Sequence, residues 1–222
     1  MKDLTVIFLT LKKLPLQWQK YHKEVLLEAI DGAKFIEISP DGDLIQDEEP
    51  TNSNVYKQLL RGAKLATTEF IAVAEDDTLY CIDHFQHRPE KGVFAYNQSH
   101  WSLFTWGEPM YSWRDRLGNY TLIAHREDVI EALEERFEKY PNGTPEGRTG
   151  EIGRWRTDTQ LGLTHRKIEE FKTNTPVINI CHELGLDDRA KRHRKNLGTL
   201  RAYDIPHYGK ASDLIQHFYE TT

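Results

Sequence analysis

Residues 54–80 read NVYKQLLRGAKLATTEFIAVAEDDTLY, and the fold prediction starts from this stretch. Apolar side chains recur at helical spacing from Asn54 to Ala66, which indicates an amphipathic helix. The run Glu69–Ala74 is apolar and typical of a buried strand. It leads directly into three acids, Glu75-Asp76-Asp77. A helix followed by a buried strand is the unit from which parallel sheets are built.

The same alternation of strands and helices extends on both sides of this unit. Leu4–Leu11 and Lys34–Ser39 are predicted strands, with a helix predicted over Gln17–Ile30 between them. Further strands are predicted at Gly92–Tyr96, Tyr120–Ala124 and Pro176–Ile180, and further helices at Glu127–Lys139, Asp158–Phe171 and Ser212–Tyr219. The pattern predicts an α/β fold with a single Rossmann-like, mostly parallel central sheet flanked by helices. Ligands of such sheets bind beyond the carboxyl ends of the strands.

The size and charge of the chain restrict its function class. Its 222 residues suit one domain, in which we expect residues 1–100 and 101–222 to form two functional halves. The formal net charge of -6 argues against a generic nucleic-acid binder, which is usually basic. No apolar run approaches the roughly 18 residues of a membrane helix. Two cysteines, Cys81 and Cys181, are too few for a disulfide framework, so we expect a cytoplasmic protein.

The three adjacent acids at 75–77 have two interpretations. Carboxylates beside a buried strand repel one another and lose solvation, and a divalent cation would relieve both costs. Mg²⁺ and Mn²⁺ prefer one or two carboxylates together with phosphate oxygens and water. The alternative is an acidic turn that faces solvent and binds nothing. The position of the acids after an apolar strand makes the two interpretations about equal.

The stretch 54–80 resembles the donor-site core of family-2-like glycosyltransferases with the A-type, or nucleotide-diphospho-sugar transferase, fold. In that family a helix with an Ala-rich end leads into a strand that ends in an Asp-x-Asp type motif, and Glu75-Asp76-Asp77 occupies that place here. The similarity is greatest to a bacterial and phage group with an acid-x-Asp-x-Leu-Tyr element, and it covers residues 1–100 best. The resemblance implies a metal-dependent glycosyltransferase that moves a sugar from a nucleotide-diphosphate donor to an acceptor hydroxyl.

The resemblance also implies the metal ligands. Asp77 matches the last acid of the motif and would bind the Mn²⁺ or Mg²⁺ that bridges the donor diphosphate. Glu75 matches the first acid and would contact the donor ribose or the metal, and Asp76 would assist. His182 follows a predicted strand, where many members of the family place a histidine on the same metal. The alternative for His182 is an ordinary loop residue.

Further donor-binding residues follow from the same resemblance. Thr10 and Asp41 lie at the ends of the first and second predicted strands, where members of the family bind the nucleoside. The family's Arg-Asn pair in the helix before the motif is replaced here by Leu59-Leu60. We therefore expect Lys57 or Arg61 to supply the missing polar contact, so residues 1–100 would be the nucleotide-sugar-binding half.

The stretch Arg156–Gly162, RTDTQLG, resembles the acid-containing helix start of the family. Asp158 matches the carboxylate that acts there as catalytic base. An inverting transferase needs such a base to take the proton of the acceptor hydroxyl. The alternative is that Thr157 or Asp158 caps the following helix.

Aromatic residues are dense between residues 100 and 120, in the half expected to bind the acceptor. Trp101, Trp106 and Trp113 could stack on sugar faces or bases, and Arg114 could pair with phosphate. Aromatic side chains more often fill cores, so we expect two or three in this stretch to be core residues. The acceptor would be a saccharide or a modified base in phage DNA.

A basic cluster extends over Arg189–Arg201, although the whole chain is acidic. Arg192, Arg194 and Lys195 are candidates for binding the donor diphosphate, because guanidinium and ammonium groups pair with phosphate oxygens. The same groups could contact DNA phosphates. The remaining interpretation is a solvated basic face.

Two other functions compete with sugar transfer. A nucleotidyltransferase shares the sheet and the metal, but usually has a Gly-rich phosphate loop after its first strand. This chain has Lys12-Lys13-Leu14-Pro15 there, without glycine. A non-catalytic module that binds glycans or nucleic acid would tolerate loss of the carboxylates, whereas an enzyme would not.

Overall fold

The computed structural model describes residues 1–48, 51–145, 147–185 and 197–220. The strands are β1 (Leu4–Leu9), β2 (Lys34–Ser39), β3 (Leu44–Ile45), β4 (Phe70–Glu75), β5 (Thr78–Leu79), β6 (Val93–Asn97), β7 (His100–Phe104), β8 (Tyr111–Trp113), β9 (Leu122–His125), β10 (Lys167–Phe171), β11 (Val177–Cys181), β12 (Leu200–Ala202), β13 (Asp204–Ile205) and β14 (Gly209–Lys210). The helices are α1 (Leu16–Ala29), α2 (Asn52–Leu65), α3 (Ile82–Phe85), α4 (Arg126–Lys139), α5 (Trp155–Leu161) and α6 (Ala211–Tyr219).

A seven-stranded sheet with the strand order β10-β6-β9-β4-β1-β2-β3 forms the centre of the fold. Only β9 runs antiparallel to its neighbours, and the other pairs in this sheet are parallel. The predicted α/β architecture with a mostly parallel central sheet is confirmed. The β1–β4 register pairs Leu9 with Glu75, so both lie at the carboxyl edge of the sheet.

Helices cover both faces of the central sheet, because successive side chains of a strand point to opposite faces. One face packs against α2 and α4 through a cluster that includes Ile7, Val73, Leu59 and Leu133. The other face packs around Val6, Phe8, Ala72 and Leu26. Burial on both faces explains why the central strands are continuous apolar runs without polar alternation.

A second, five-stranded sheet with the order β12-β8-β7-β11-β5 lies beyond the acidic residues. Its strand β5 follows Asp77 at once and pairs antiparallel with β11, with Thr78 opposite Asn179. The backbone N–H of Ile180 also donates to the carbonyl oxygen of Asp77 at 2.7 Å. The pairing therefore brings the end of β11 next to the acids that end β4.

The predicted helix over residues 158–171 is wrong. Helix α5 already ends at Leu161, because Gly162 adopts the left-handed conformation (φ 62°) that terminates helices. The chain then forms β10, which pairs parallel with β6 at the edge of the sheet. Strands β3, β5, β7, β8, β12, β13 and β14 and helix α3 were not predicted either; β3, β5, β13 and β14 span two residues each.

The remaining predicted helices and strands lie within about two residues of their observed bounds, which is the usual uncertainty of helix and strand ends. Strands from residues 1–100 and 101–222 share both large sheets. Within the described ranges, no helix combines the length and the apolar character that a membrane crossing requires.

Candidate functional site

Asp76 is held by the segment that connects β1 to α1. The Thr10 hydroxyl donates to Asp76 Oδ2 at 2.5 Å, and the backbone N–H of Lys12 donates to Thr10 Oγ1 at 2.9 Å. The indole N–H of Trp18 donates to the Asp76 carbonyl oxygen at 2.8 Å. The structure thus brings the predicted donor residues Thr10 and Asp76 together, with the Thr10 hydroxyl engaged by the protein itself.

Asp77 is held by β5 and β11. Thr78 Oγ1 and Asn179 Nδ2 donate to Asp77 Oδ1 at 3.0 and 3.2 Å. The other carboxylate oxygen, Oδ2, lies 3.5 Å from Nε2 of His182. The His182 ring is buried, and its Nδ1 has no hydrogen-bond partner among the described residues. Asp77 and His182, predicted as metal ligands from opposite halves of the chain, are therefore neighbours.

Glu75 ends β4 next to aromatic residues. Its backbone N–H donates to the Tyr80 hydroxyl at 3.1 Å, and that hydroxyl donates to the carbonyl oxygen of Tyr120 at 3.0 Å. Glu75 therefore joins the end of β4 to the turn before β9.

The cluster holds three acids close together in a poorly solvated place, which disfavours their charged forms. Burial and the charges of Asp77 and Asp76 raise the pKa of Glu75 to about 8. Burial and the charge of Asp77 likewise raise the pKa of Asp76 to about 7, against the opposing hydrogen bond from Thr10. Burial lowers the pKa of His182, but the nearby Asp77 and Asp76 carboxylates outweigh it and the pKa is raised. A bound cation would stabilise the charged forms of these acids.

The donor atoms of the site suit a divalent cation whose coordination shell is completed by a bound ligand. Among the described residues, no three His, Cys, Asp or Glu side chains come together so that they could hold a metal by themselves. Mg²⁺ and Mn²⁺ need no such cage, because they are bound by one or two carboxylates with water and substrate phosphates. The Asp77 carboxylate and the Nε2 nitrogen of the His182 imidazole, which faces Asp77 Oδ2 at 3.5 Å, suit Mn²⁺ in that arrangement.

Asp41 and its neighbours form an ion-pair cluster at the carboxyl end of β2. The Asp41 side chain is exposed and contacts the Lys12 ammonium, and it accepts a hydrogen bond from Ser39 Oγ at 3.1 Å. Lys12 also pairs with buried Glu37 at 3.0 Å. The residue that joins Asp41 to the β1 end is therefore Lys12, which the sequence analysis did not select.

The two cations predicted on α2 lie apart from these contacts. Arg61 donates to the carbonyl oxygen of Ile45 at 2.9 Å and to Gln58 Oε1 at 2.6 Å. Its guanidinium is therefore engaged with β3 and with its own helix. Lys57 is half-buried one turn closer to the start of α2.

Asp158 lies inside α5 and does not cap it. The helix begins at Trp155 after Arg154, so the capping alternative for Thr157 or Asp158 is wrong. The Asp158 side chain is 2% exposed, and its Oδ2 has no hydrogen-bond partner among the described residues. Burial raises the pKa of Asp158, while the nearby Arg136 guanidinium opposes the rise. Asp158 is thus a buried carboxylate with one oxygen that accepts no hydrogen bond from the described part of the chain.

The predicted aromatic residues divide between core and surface. Trp106 is buried and packs edge-on against Phe104, with ring centroids 5.3 Å apart. Trp101 and Trp113 are half-buried and stand opposite each other across β7 and β8. The Trp113 indole N–H donates to the Gln98 carbonyl oxygen at 2.7 Å. Arg114, next in the chain, is half-buried.

A buried polar network that the sequence analysis missed supports the carboxylate cluster. Arg116 Nη2 donates to the Tyr120 hydroxyl at 2.8 Å, and His100 Nδ1 lies 2.9 Å from the same hydroxyl. Because the Tyr120 carbonyl oxygen accepts from Tyr80, which in turn contacts Glu75, the network reaches the end of β4.

The predicted diphosphate ligands Arg192, Arg194 and Lys195 lie outside the described residues. Of the same basic cluster, Arg201 is described and is exposed on β12.

Comparisons with known proteins were made at the level of sequence and of structure. No protein-family model matches the chain, and no curated protein matches its sequence significantly. A glycosyltransferase involved in glycosylating the major capsid of PBCV-1 is 12% identical, with 86% of this chain and 98% of that chain covered at a TM-score of 0.49.

Two further solved structures illustrate the range of similar proteins. A mutant Drosophila β1,4-galactosyltransferase 7, in complex with manganese, UDP-Gal and xylobiose, is 13% identical over 89% of this chain and 76% of that chain, with a TM-score of 0.45. A nucleotidyl transferase from Methanothermobacter is 8% identical over 79% and 89%, with a TM-score of 0.46. At these identities and TM-scores, none of the likenesses assigns an activity or a ligand to this chain.

Proposed function

We propose that this chain is a metal-dependent glycosyltransferase that transfers a sugar from a nucleotide-diphosphate donor to the hydroxyl of an acceptor. The observation that carries the proposal is the approach of Asp77 to His182, at 3.5 Å, on the carboxyl edge of the parallel sheet. Carboxylate and imidazole are ligands of Mn²⁺-like ions, and this edge is where parallel sheets bind ligands. An acidic turn that only faces solvent has no need of a buried histidine.

The donor would lie across the ends of β1, β2 and β4, in residues 1–100. Asp77 and His182 would hold the Mn²⁺ or Mg²⁺, with Glu75 and Asp76 beside it. Thr10, Asp41 and Lys12 would line the nucleoside side, since they follow β1 and β2. Lys57 and the 192–195 cations are secondary candidates for the diphosphate.

The acceptor would be bound by residues 101–222, and a saccharide is the expected acceptor. Asp158 would accept the proton of its hydroxyl, since its Oδ2 has no partner among the described residues. The acceptor oxygen then bonds to the anomeric carbon of the sugar while the bond from that carbon to the diphosphate oxygen breaks. When bound, the cation stabilises the negative charge of the departing nucleoside diphosphate.

Asp77→Asn tests the metal assignment. The full chain is assayed with Mn²⁺ and a panel of nucleotide sugars for release of nucleoside diphosphate. We expect release by the wild-type chain and loss of release in Asp77→Asn, because the amide is a neutral and weaker cation ligand. Asp213→Asn, which changes an exposed acid on α6, is the matched control and should retain release.

The products distinguish the proposed function from its competitors. A nucleotidyltransferase would release pyrophosphate from a nucleoside triphosphate. A binding module would bind ligand without releasing a product. Unchanged release of nucleoside diphosphate by Asp77→Asn would remove Asp77 from the metal site.

A further inference from the structure

The two oxygens of the Asp77 carboxylate have different surroundings. Oδ1 accepts hydrogen bonds from Thr78 Oγ1 at 3.0 Å and from Asn179 Nδ2 at 3.2 Å. Oδ2 faces only the Nε2 of His182, at 3.5 Å, among the contacts of the described residues. One oxygen is therefore occupied by neutral donors of the protein, and the other is directed toward the second predicted ligand.

Asn179 is itself fixed in this orientation. It is buried on β11, and Nδ2 makes a second hydrogen bond to Thr78 Oγ1 at 3.1 Å. Its Oδ1 lies 3.6 Å from the thiol of Cys181, a donor. A carboxylate accepts only, so the amide must present its NH₂ group to Asp77. The chemistry of the neighbours leaves one orientation of the Asn179 amide.

Backbone pairing sets the distance between these side chains. Thr78 is opposite Asn179 in the antiparallel β5–β11 pair, and the Ile180 N–H donates to the Asp77 carbonyl oxygen at 2.7 Å. Groups carried on paired strands are placed more accurately than groups on loops. His182 follows the end of the same strand, so β11 supplies both the donor to Oδ1 and the imidazole facing Oδ2.

We propose that Asn179 is a positioning residue for cation binding. Together with the Thr78 hydroxyl, its amide occupies Oδ1 of Asp77 and so aims Oδ2, with Nε2 of His182, at the divalent cation. This inference rests on the proposed function, because it takes Asp77 and His182 as the ligands. Neutral donors suit this position, since they fix the carboxylate without neutralising the charge that attracts the cation.

Titration of the full chain with Mn²⁺ alone, followed by the electron paramagnetic resonance signal of free Mn²⁺, tests the inference without requiring turnover. Removal of an outer hydrogen-bond partner of a metal ligand typically weakens metal binding by about 10- to 100-fold. We expect a loss in this range for Asn179→Ala and for Thr78→Val, and a larger loss for Asp77→Asn. The expected order separates a positioning residue from a ligand.

Thr68→Val is the matched control for Thr78→Val. Thr68 is also a buried threonine, but its hydroxyl bonds to Thr5 and to the Phe70 carbonyl oxygen, before β4. Thr68→Val should therefore bind Mn²⁺ as the wild type does. Circular dichroism establishes that each variant is folded, and Thr78→Val decides the matter if Asn179→Ala does not fold.

The possible outcomes are distinct. Wild-type affinity in Thr78→Val and Asn179→Ala, with loss in Asp77→Asn, would overturn the positioning role and leave the proposed function standing. Absence of Mn²⁺ binding by the wild type would overturn the positioning role, and the release of nucleoside diphosphate would then decide the proposed function separately. Equal weakening in Thr68→Val would also overturn the inference, because the effect would then be general destabilisation.

Discussion

Replacement of His100 by glutamine should make the protein less sensitive to acid. His100 is 2% exposed and neutral in the fold, with Nδ1 2.9 Å from the Tyr120 hydroxyl and Nε2 2.8 Å from the Arg116 carbonyl oxygen. Burial, followed by the charges of Arg116 and Arg114, lowers its pKa to about 4, although the Arg116 carbonyl bond opposes the change. A glutamine can both donate and accept in the same place, but does not titrate.

The pKa fixes the direction and the size of the effect. The unfolded state takes up the proton near pH 6.5 and the folded state near pH 4, so the free energy of unfolding falls as the pH drops between these values. The full difference corresponds to about 3 kcal/mol, at roughly 1.4 kcal/mol for each pKa unit. Most of it, about 2 kcal/mol, is lost by pH 5. Above pH 7.5 the contribution is absent.

Urea unfolding at pH 8 and pH 5 gives the free energy of unfolding at each pH, and the loss between the two is compared for the wild type and His100→Gln. His84 and His22, whose pKa values burial lowers, also weaken the fold in acid. Glu75 and Asp76, with raised pKa values, act in the opposite direction. These contributions cancel when the pH-dependent loss in His100→Gln is subtracted from that in the wild type.

We expect this difference to be about 2 kcal/mol for His100→Gln. The exposed His207 provides the control, and His207→Gln should give no difference. An identical pH dependence in the wild type and His100→Gln would refute the buried, neutral assignment. It would mean that the ring meets solvent in the folded protein.

Two further predictions concern the chemistry and the packing. Asp158→Asn should leave nucleotide and Mn²⁺ binding unchanged and lower the transfer rate by about 10²- to 10⁴-fold, the usual contribution of a general base; wild-type turnover would exclude that role. Gly62→Ala should reduce the free energy of unfolding by about 1–3 kcal/mol in urea, because a Cβ there would lie 2.7 Å from Ile7 Cγ2. Lys64→Ala, on the exposed side of the same helix, is its control, and a stabilised Gly62→Ala protein would contradict the close packing of α2 on β1.

The parts of the fold that the sequence predicted are those that its own side chains determine locally. Strands β1, β2 and β4 are buried on both faces, so their apolar runs are unambiguous. The error after Asp158 has a local cause as well. Gly162 was a stop signal for the helix, and Lys167–Phe171 became an edge strand only because β6 offers it a partner. Short strands such as β5 carry too few residues to show a period.

The candidate site shows the same difference between features that the local sequence determines and features that depend on distant contacts. The rule that ligands bind at the carboxyl ends of parallel strands selected the loops that follow those strands. The family resemblance selected Thr10, Asp77 and His182, of which Thr10 contacts Asp76 and His182 contacts Asp77. It could not exclude Arg61, because the direction of a long side chain depends on its contacts, here with Ile45 and Gln58. The sequence did carry a partial indication that Asn179 has a special role, because it is the polar residue within the apolar strand PVINI.

The three acids are adjacent in the sequence and have different positions in the fold. Glu75 ends β4 beside Tyr80, Asp76 is bound by Thr10, and Asp77 faces His182. Of the three, Asp77 is the one that faces a histidine, as the proposed cation site requires. One carboxylate and one imidazole leave most coordination positions of Mn²⁺ to water or to a ligand. A diphosphate that fills those positions binds more tightly with the cation present, and by reciprocity it strengthens cation binding equally. Under the proposed function, the donor would complete the metal site as much as the metal recruits the donor.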